Sequence, residues 1–406
     1  MRALALVDSD SYVKWGAALL GQLPSGWRRE LALVTTPAAP SAAQLAAALE
    51  GSGIDAARVS ALTLDGLRER VRDHLPDVVI VAMRGPAASV VLRMLASLEH
   101  RPVLVSGLPG ISIPATSKAL LFRGQADLMV LHSKRELREF AVLAGSKGWE
   151  FRFALATLPF IDRRPVVGGT DIVFAVQAIV PATLEERERM LDLLIETAGR
   201  NPGHRVVIKV RAVSGESQTH AEANSYPDML ADRAAVPLNL AVASGPMAEA
   251  LDTAAALVTV SSTAAIEAIG RGVPVLAVDE FGMSPKLINV VFEGSGLFGG
   301  ADDLVARRFA HPRPEWLDEN YFHDADDSDW TRELDALLAA RSAGALASRH
   351  SLRGRAGGTL RLAWERKRAF GADDTSRAGA VALAVGVPMR RAALLARRLR
   401  RRAAAK

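Results

Sequence analysis

From its first residues the chain alternates short, wholly apolar runs rich in Val, Leu and Ile with longer segments of helical period. Ala3–Val7, Leu31–Thr35, Val78–Met83, Val103–Ser106 and Leu128–His132 are runs of the first kind; Ala42–Leu49, Gly66–His74, Ala87–His100 and Lys134–Leu143 are of the second. A strand that is apolar on both faces must be covered on both, which a parallel sheet flanked by helices provides. The alternation therefore predicts right-handed β-α-β crossovers and a doubly wound α/β sheet.

The polar stretch from Asp162 to Gly169, with Pro165 inside it, interrupts the pattern, which restarts at Ile172–Ala175 and continues through Val273–Val278. At 406 residues the chain exceeds one ordinary core. We expect an N-terminal Rossmann-like domain over 1–162, a second over 170–341, the two facing a cleft, and a basic helical appendage over 342–406. There is no cysteine, which excludes disulfides, thiolate metal sites and a cysteine nucleophile.

The opening MRALALVDSD has too short an apolar stretch for a secretory signal, and no window approaches the roughly 18 apolar residues that span a bilayer. The expected location is cytoplasmic. The net charge of +5 conceals an asymmetry, because residues 377–406 hold nine Lys/Arg and no acid, so the body is mildly acidic. Leu395 and Leu399 share a helical face among arginines, the pattern of a basic amphipathic helix. It suits an anionic membrane surface, which would make the protein peripheral at the inner face of the membrane; nucleic acid is not an expected partner.

The sharpest motif is Val258-Thr-Val-Ser261-Ser262-Thr263-Ala-Ala-Ile-Glu267-Ala-Ile-Gly270-Arg-Gly272-Val-Pro274. An apolar strand ends in small hydroxyl residues that open a helix, and unpaired N–H groups with Ser and Thr hydroxyls there can cradle a phosphate. Glu267, one turn deeper than Thr263, is placed to accept from ribose hydroxyls. Lys209 and Arg211, two apart on a strand, point the same way and can meet a phosphate or a sugar carboxylate. Glu216 and His220 follow in a polar loop, and Gln177 ends the first strand of the second lobe.

In the first lobe, Asp8 and Asp10 follow strand one and are candidates for a general base. Arg84 and His132 end other strands and are candidate acceptor contacts. Neither GxGxxG nor GxxxxGK[ST] is present, which argues against dinucleotide and P-loop chemistry, and no metal site or resident cofactor is expected.

The motif SSTAAIEAIGRGVPVLAV resembles the nucleotide-binding stretch of GT-B glycosyltransferases, particularly bacterial capsule sialyltransferases and Kdo transferases. With DSDSYVKW, RGQADLMVLHS and IKVRAVSGESQTH, the chain over roughly 1–330 looks like a largely uncharacterised actinobacterial glycosyltransferase family. The resemblance implies transfer of a sugar, an ulosonic acid of sialic acid, Kdn or Kdo type from a CMP donor, to a cell-surface glycan. The His-Pro pair of the sialyltransferases is missing from the strand ending at Arg211, and His311-Pro312 follows the Ser-Ser turn instead of preceding it. The alternatives are a UDP-sugar-dependent hexosyltransferase or UDP-GlcNAc 2-epimerase-like enzyme, and a non-catalytic sugar-nucleotide-binding scaffold.

Overall fold

The computed structural model describes residues 1–158, 161–177, 179–210, 224–352 and 358–388. The first lobe runs β1 (Arg2–Val7), α1 (Asp10–Gln22), β2 (Arg28–Val34), α2 (Ala42–Leu49), β3 (Ser60–Leu62), α3 (Leu64–His74), β4 (Val78–Ala82), α4 (Gly85–Ala96), β5 (Val103–Gly107), α5 (Ser117–Arg123), β6 (Leu128–Leu131), α6 (Lys134–Ser146) and β7 (Phe153–Leu155). The second runs β8 (Asp171–Ala175), α7 (Leu184–Arg200), β9 (Val206–Lys209), α8 (Tyr226–Ala231), β10 (Leu240–Ala243), α9 (Met247–Asp252), β11 (Ala254–Thr259), α10 (Ala264–Gly270), β12 (Val275–Val278), β13 (Phe298–Gly299), α11 (Ala301–Val305) and α12 (Pro314–Glu319). Two more helices, α13 (Trp330–Ser342) and α14 (Gly358–Phe370), follow.

Both sheets are parallel, in the orders β3-β2-β1-β4-β5-β6-β7 and β10-β9-β8-β11-β12-β13. Every residue of β4, β5, β6, β8, β9 and β12 is buried, as their predominantly apolar runs require; Ser106, Asp171 and Lys209 are the polar exceptions. Several helices start on side-chain caps. Ser41 and Gln44 exchange reciprocal bonds of 3.2 and 2.9 Å at α2, and Thr183 and Glu186 do the same at α7, each cap contributing about 1 kcal/mol. Gly107 ends β5 where a Cβ would lie 2.4 Å from the Val130 carbonyl and 2.5 Å from the Trp15 ring, so only glycine lets strand and helix approach this closely.

The sequence leads us to expect the second domain to end at 341, and the packing corrects this. Trp330, Leu334, Leu337 and Leu338 of α13 share the first-lobe core with Val103, Leu128 and Ala154, and Trp330 Nε1 donates to Gln22 Oε1 at 2.6 Å. The chain thus returns to the first lobe before α13. On the other face of that sheet Phe370 of α14 packs with Val79, Val91 and Leu104. Buried Asp127 accepts from Arg101 and from Arg349, and Arg93 pairs with Glu365. The expected appendage therefore begins as an integral layer of the first lobe.

Candidate functional site

Each sheet reverses its winding once, and a doubly wound sheet opens a crevice beyond the strand ends at that reversal. In the second lobe the reversal lies between β8 and β11. Gln177, just past β8, accepts with its Oε1 from Ser261 N at 3.1 Å and Ser261 Oγ at 2.9 Å, tying the ends of the two strands together. Ser262 N donates to Thr259 Oγ1 (2.9 Å), and Ser262 Oγ accepts from Ala264 N (3.2 Å). The Thr263 hydroxyl caps nothing and is partly exposed. Glu267 lies on α10, half-buried. Hydrogen bonds thus fasten the Ser261–Thr263 turn to Gln177 and Thr259.

Lys209 departs from its expected place at a phosphate. It is 4% exposed, and its Nζ donates to the carbonyls of Val210 and Gly245. Burial lowers its pKa, with the Glu249 carboxylate opposing. It fastens the turn before α9. Arg211, Glu216 and His220 lie outside the described residues.

In the first lobe the reversal lies between β1 and β4. Asp8, just past β1, accepts at Oδ1 from the backbone N of Arg84, just past β4, at 3.0 Å; Arg84 Nε approaches Oδ2 at 3.4 Å. Asp8 is fully buried; burial raises its pKa and the Arg84 bonds and charge pull it down. With no exposed surface, Asp8 is turned inward to Arg84, whose side chain is about one third exposed. Asp10, the other base candidate, is exposed in the first turn of α1.

His132, expected at the acceptor, is wholly buried. Trp15 Nε1 donates to its Nε2 at 2.6 Å and its Nδ1 lies 3.0 Å from the Ala156 carbonyl, so both ring nitrogens are occupied. Burial lowers its pKa to about 4, leaving it neutral. It locks α1 to the ends of β6 and β7.

The two crevices face each other: a Cβ added at Gly110, in the loop after β5, would lie 3.6 Å from Thr263 Cγ2. That loop is held from α6, where Glu136 accepts from Ser112 N at 2.8 Å and Glu139 from Ala115 N at 3.2 Å. Its tip, Ile113, is buried in the second-lobe core. Sequence reasoning missed this loop, although its Pro109-Gly110 pair is a turn signal. It also missed Arg123, which is buried and donates to Gly107 O, Met83 O and Tyr12 Oη, bracing the strand ends behind Asp8. Among the described residues no group of three or more His, Asp or Glu is placed to hold a metal ion. No described helix is long and apolar enough to cross a membrane.

The model of a protein family described as "Putative glycosyltransferase (DUF6716)" matches residues 3–337. No curated protein sequence matches the chain. Among solved structures, UDP-GlcNAc 2-epimerase from Neisseria meningitidis bound to UDP-GlcNAc superposes with a TM-score of 0.53 at 12% identity, over 83% of this chain and 100% of that one. UDP-GlcNAc 2-epimerase from Methanocaldococcus jannaschii, in complex with UDP-GlcNAc and UDP, gives 0.52 at 9%, over 83% and 99%. At such identities the likeness shows the fold, a two-lobed GT-B architecture.

Proposed function

The chain belongs to the DUF6716 glycosyltransferase family, and from that premise we propose that it transfers a sugar from a nucleotide donor held by the second lobe to a glycan acceptor presented by the first. The observation that carries this reading is the pair of facing crevices, Gln177 with Ser261–Thr263 on one side and Asp8 with Arg84 on the other, brought together where Gly110 meets Thr263. Binding at the reversal points of two doubly wound sheets brings two substrates into one cleft.

In this reading the Ser262 and Thr263 hydroxyls and the amides of their turn bind the donor phosphate, and Glu267 accepts from the ribose. Gln177 holds Ser261, so the turn is ordered before the donor arrives and little ordering cost falls on binding. Asp10 takes the proton from the acceptor hydroxyl as the sugar carbon is attacked, and the phosphate leaves with the bonding pair. Asp8 orients Arg84 towards the acceptor. We read the transfer as metal-independent, with the hydroxyls and amides of the Ser262–Thr263 turn taking up the charge of the leaving phosphate.

The Ser-Ser motif and its likeness to sialyl- and Kdo transferases support a CMP-ulosonic acid as donor. A second reading, a UDP-sugar, is supported by the UDP-GlcNAc held in structures of this architecture. The basic segment 377–406 supports attachment to an anionic membrane surface. Val381, Leu383 and Val385, exposed within the first part of that segment, add apolar contacts of the kind an interfacial helix uses. A thermal-shift series with CMP, CDP, UDP, UMP and GDP tests the donor site, because ligand binding to the folded state raises Tm. A shift with CMP or CDP supports the ulosonic acid donor and a shift with UDP alone supports the second reading. Silence towards all nucleotides overturns both. Donor turnover without any acceptor identifies epimerisation.

A further inference from the structure

An open cavity of about 800 Å³ lies between α1 and the end of α2 on one side and Thr157, Leu158, Ile161, Arg163 and Arg164 on the other, with Tyr321 at its wall. Its volume is within the range that takes a bound small molecule. The walls on α1 and α2 are built mostly of alanine and glycine, so a ligand can approach the helix backbones closely. Three cations, Lys14, Arg163 and Arg164, line it against one carboxylate, Glu50. Arg164 is bound to Asp162 by bonds of 2.7–3.1 Å. Lys14 and Arg163 are exposed, and neither has an ion-pair partner among the described residues.

The cavity continues the face of α1 that carries the candidate base. Asp10, Lys14, Ala18 and Gly21 recur at helical spacing on that one face, and the last three line the cavity. At 1.5 Å per residue Lys14 stands about 6 Å beyond Asp10 along the helix and Gly21 about 16 Å. We propose that this cavity is the acceptor groove and that it selects an anionic saccharide, whose carboxylate or phosphate meets Lys14 and Arg163 while its reactive hydroxyl reaches Asp10. The inference rests on the glycosyltransferase reading and adds the charge class of the acceptor to it. Two cations without an ion-pair partner, against the single carboxylate of Glu50, favour an anionic ligand over a neutral one and orient it along the groove.

The test uses the full chain and three probes: trigalacturonate as a carboxylate-bearing saccharide, maltotriose bearing a terminal phosphate, and unmodified maltotriose. Calorimetric titration should show at least one anionic trisaccharide binding ten-fold or more tightly than maltotriose, and which one binds separates carboxylate from phosphate recognition. Lys14→Gln with Arg163→Gln should remove that preference. Gly21→Trp should block whichever anionic probe binds, with an unchanged far-UV spectrum as the check on folding; a Cβ at Gly21 has no neighbour within 4 Å. Equal binding of charged and neutral probes, binding of none, or an unchanged preference in the double variant overturns the proposal. Nucleotide-induced thermal shift in the same preparation separates the two failures: nucleotide binding without saccharide binding refutes the groove alone, and saccharide binding without nucleotide binding refutes the donor site.

Discussion

The Tyr321 hydroxyl, on the segment leaving the second lobe, donates a 2.7 Å hydrogen bond to Glu136 Oε1 on α6 of the first lobe. Both residues are buried, and the same carboxylate accepts from Ser112 N and His132 N. One side chain thus ties together the lobe junction, the loop that reaches Thr263 and the strand end carrying His132.

Burial raises Glu136 to about 7, and its hydrogen bonds oppose that rise. A carboxyl whose folded pKa exceeds its unfolded one contributes stability that is full at low pH and is lost as pH rises from its unfolded value to about 7. His132, lowered to about 4, does the reverse: its contribution is present above its unfolded value near 6.5 and is lost as pH falls towards 4. The two oppose each other over the shared range. In Glu136→Gln the His132 contribution stands alone, so Tm should fall more steeply than in the parent between about pH 6.5 and 4.5. Parallel Tm profiles for the two proteins would refute the assignment.

Thr263→Ala removes a hydroxyl that caps nothing, so the unliganded Tm should stay within a degree or so of the parent. Affinity for the stabilising nucleotide should fall by roughly ten-fold or more, the value of one hydrogen bond to a charged group. Unchanged affinity would remove Thr263 from the phosphate site.

Asp10→Asn should leave folding intact and reduce transfer by about 10²–10⁴-fold, the usual contribution of a positioned base. Asp8→Asn should instead lower stability by roughly 1–3 kcal/mol, because a buried acceptor of the Arg84 bonds is weakened. Full activity in Asp10→Asn would transfer the base role elsewhere.

Lys209→Gln should lower stability, since Nζ holds the Gly245 turn, while leaving nucleotide affinity within about three-fold. A large loss of affinity without destabilisation would return Lys209 to the donor site.

Removing residues 389–406 deletes eight of the nine cations of the basic tail and spares the apolar turn before it. Co-sedimentation with vesicles rich in phosphatidylglycerol should be lost and nucleotide-induced stabilisation retained. Persistent sedimentation at physiological salt would refute the tail as the attachment point.

Local signals were legible because they depend on neighbours in the chain. Unbroken apolar runs and the small hydroxyls between a strand and a helix announced two doubly wound sheets and placed Gln177 and Ser261 at strand ends, where hydrogen bonds join them. The short strands β3, β7 and β13 escaped notice because two or three residues carry no period, and only pairing with a neighbour makes them strands. The destination of α13 was equally invisible: an amphipathic helix announces that one face will be buried, and not against which sheet. Burial also decided the roles of Asp8, His132 and Lys209. A polar side chain at a strand end can face the cleft or turn inward to a partner, and that partner can lie far along the chain, as Trp15 does for His132. The sequence by itself determined the elements, their alternation and the strand-end turns. Only the tertiary structure decided which polar groups remain free for a substrate, because that depends on contacts between segments distant in the chain, such as Glu136 with Tyr321.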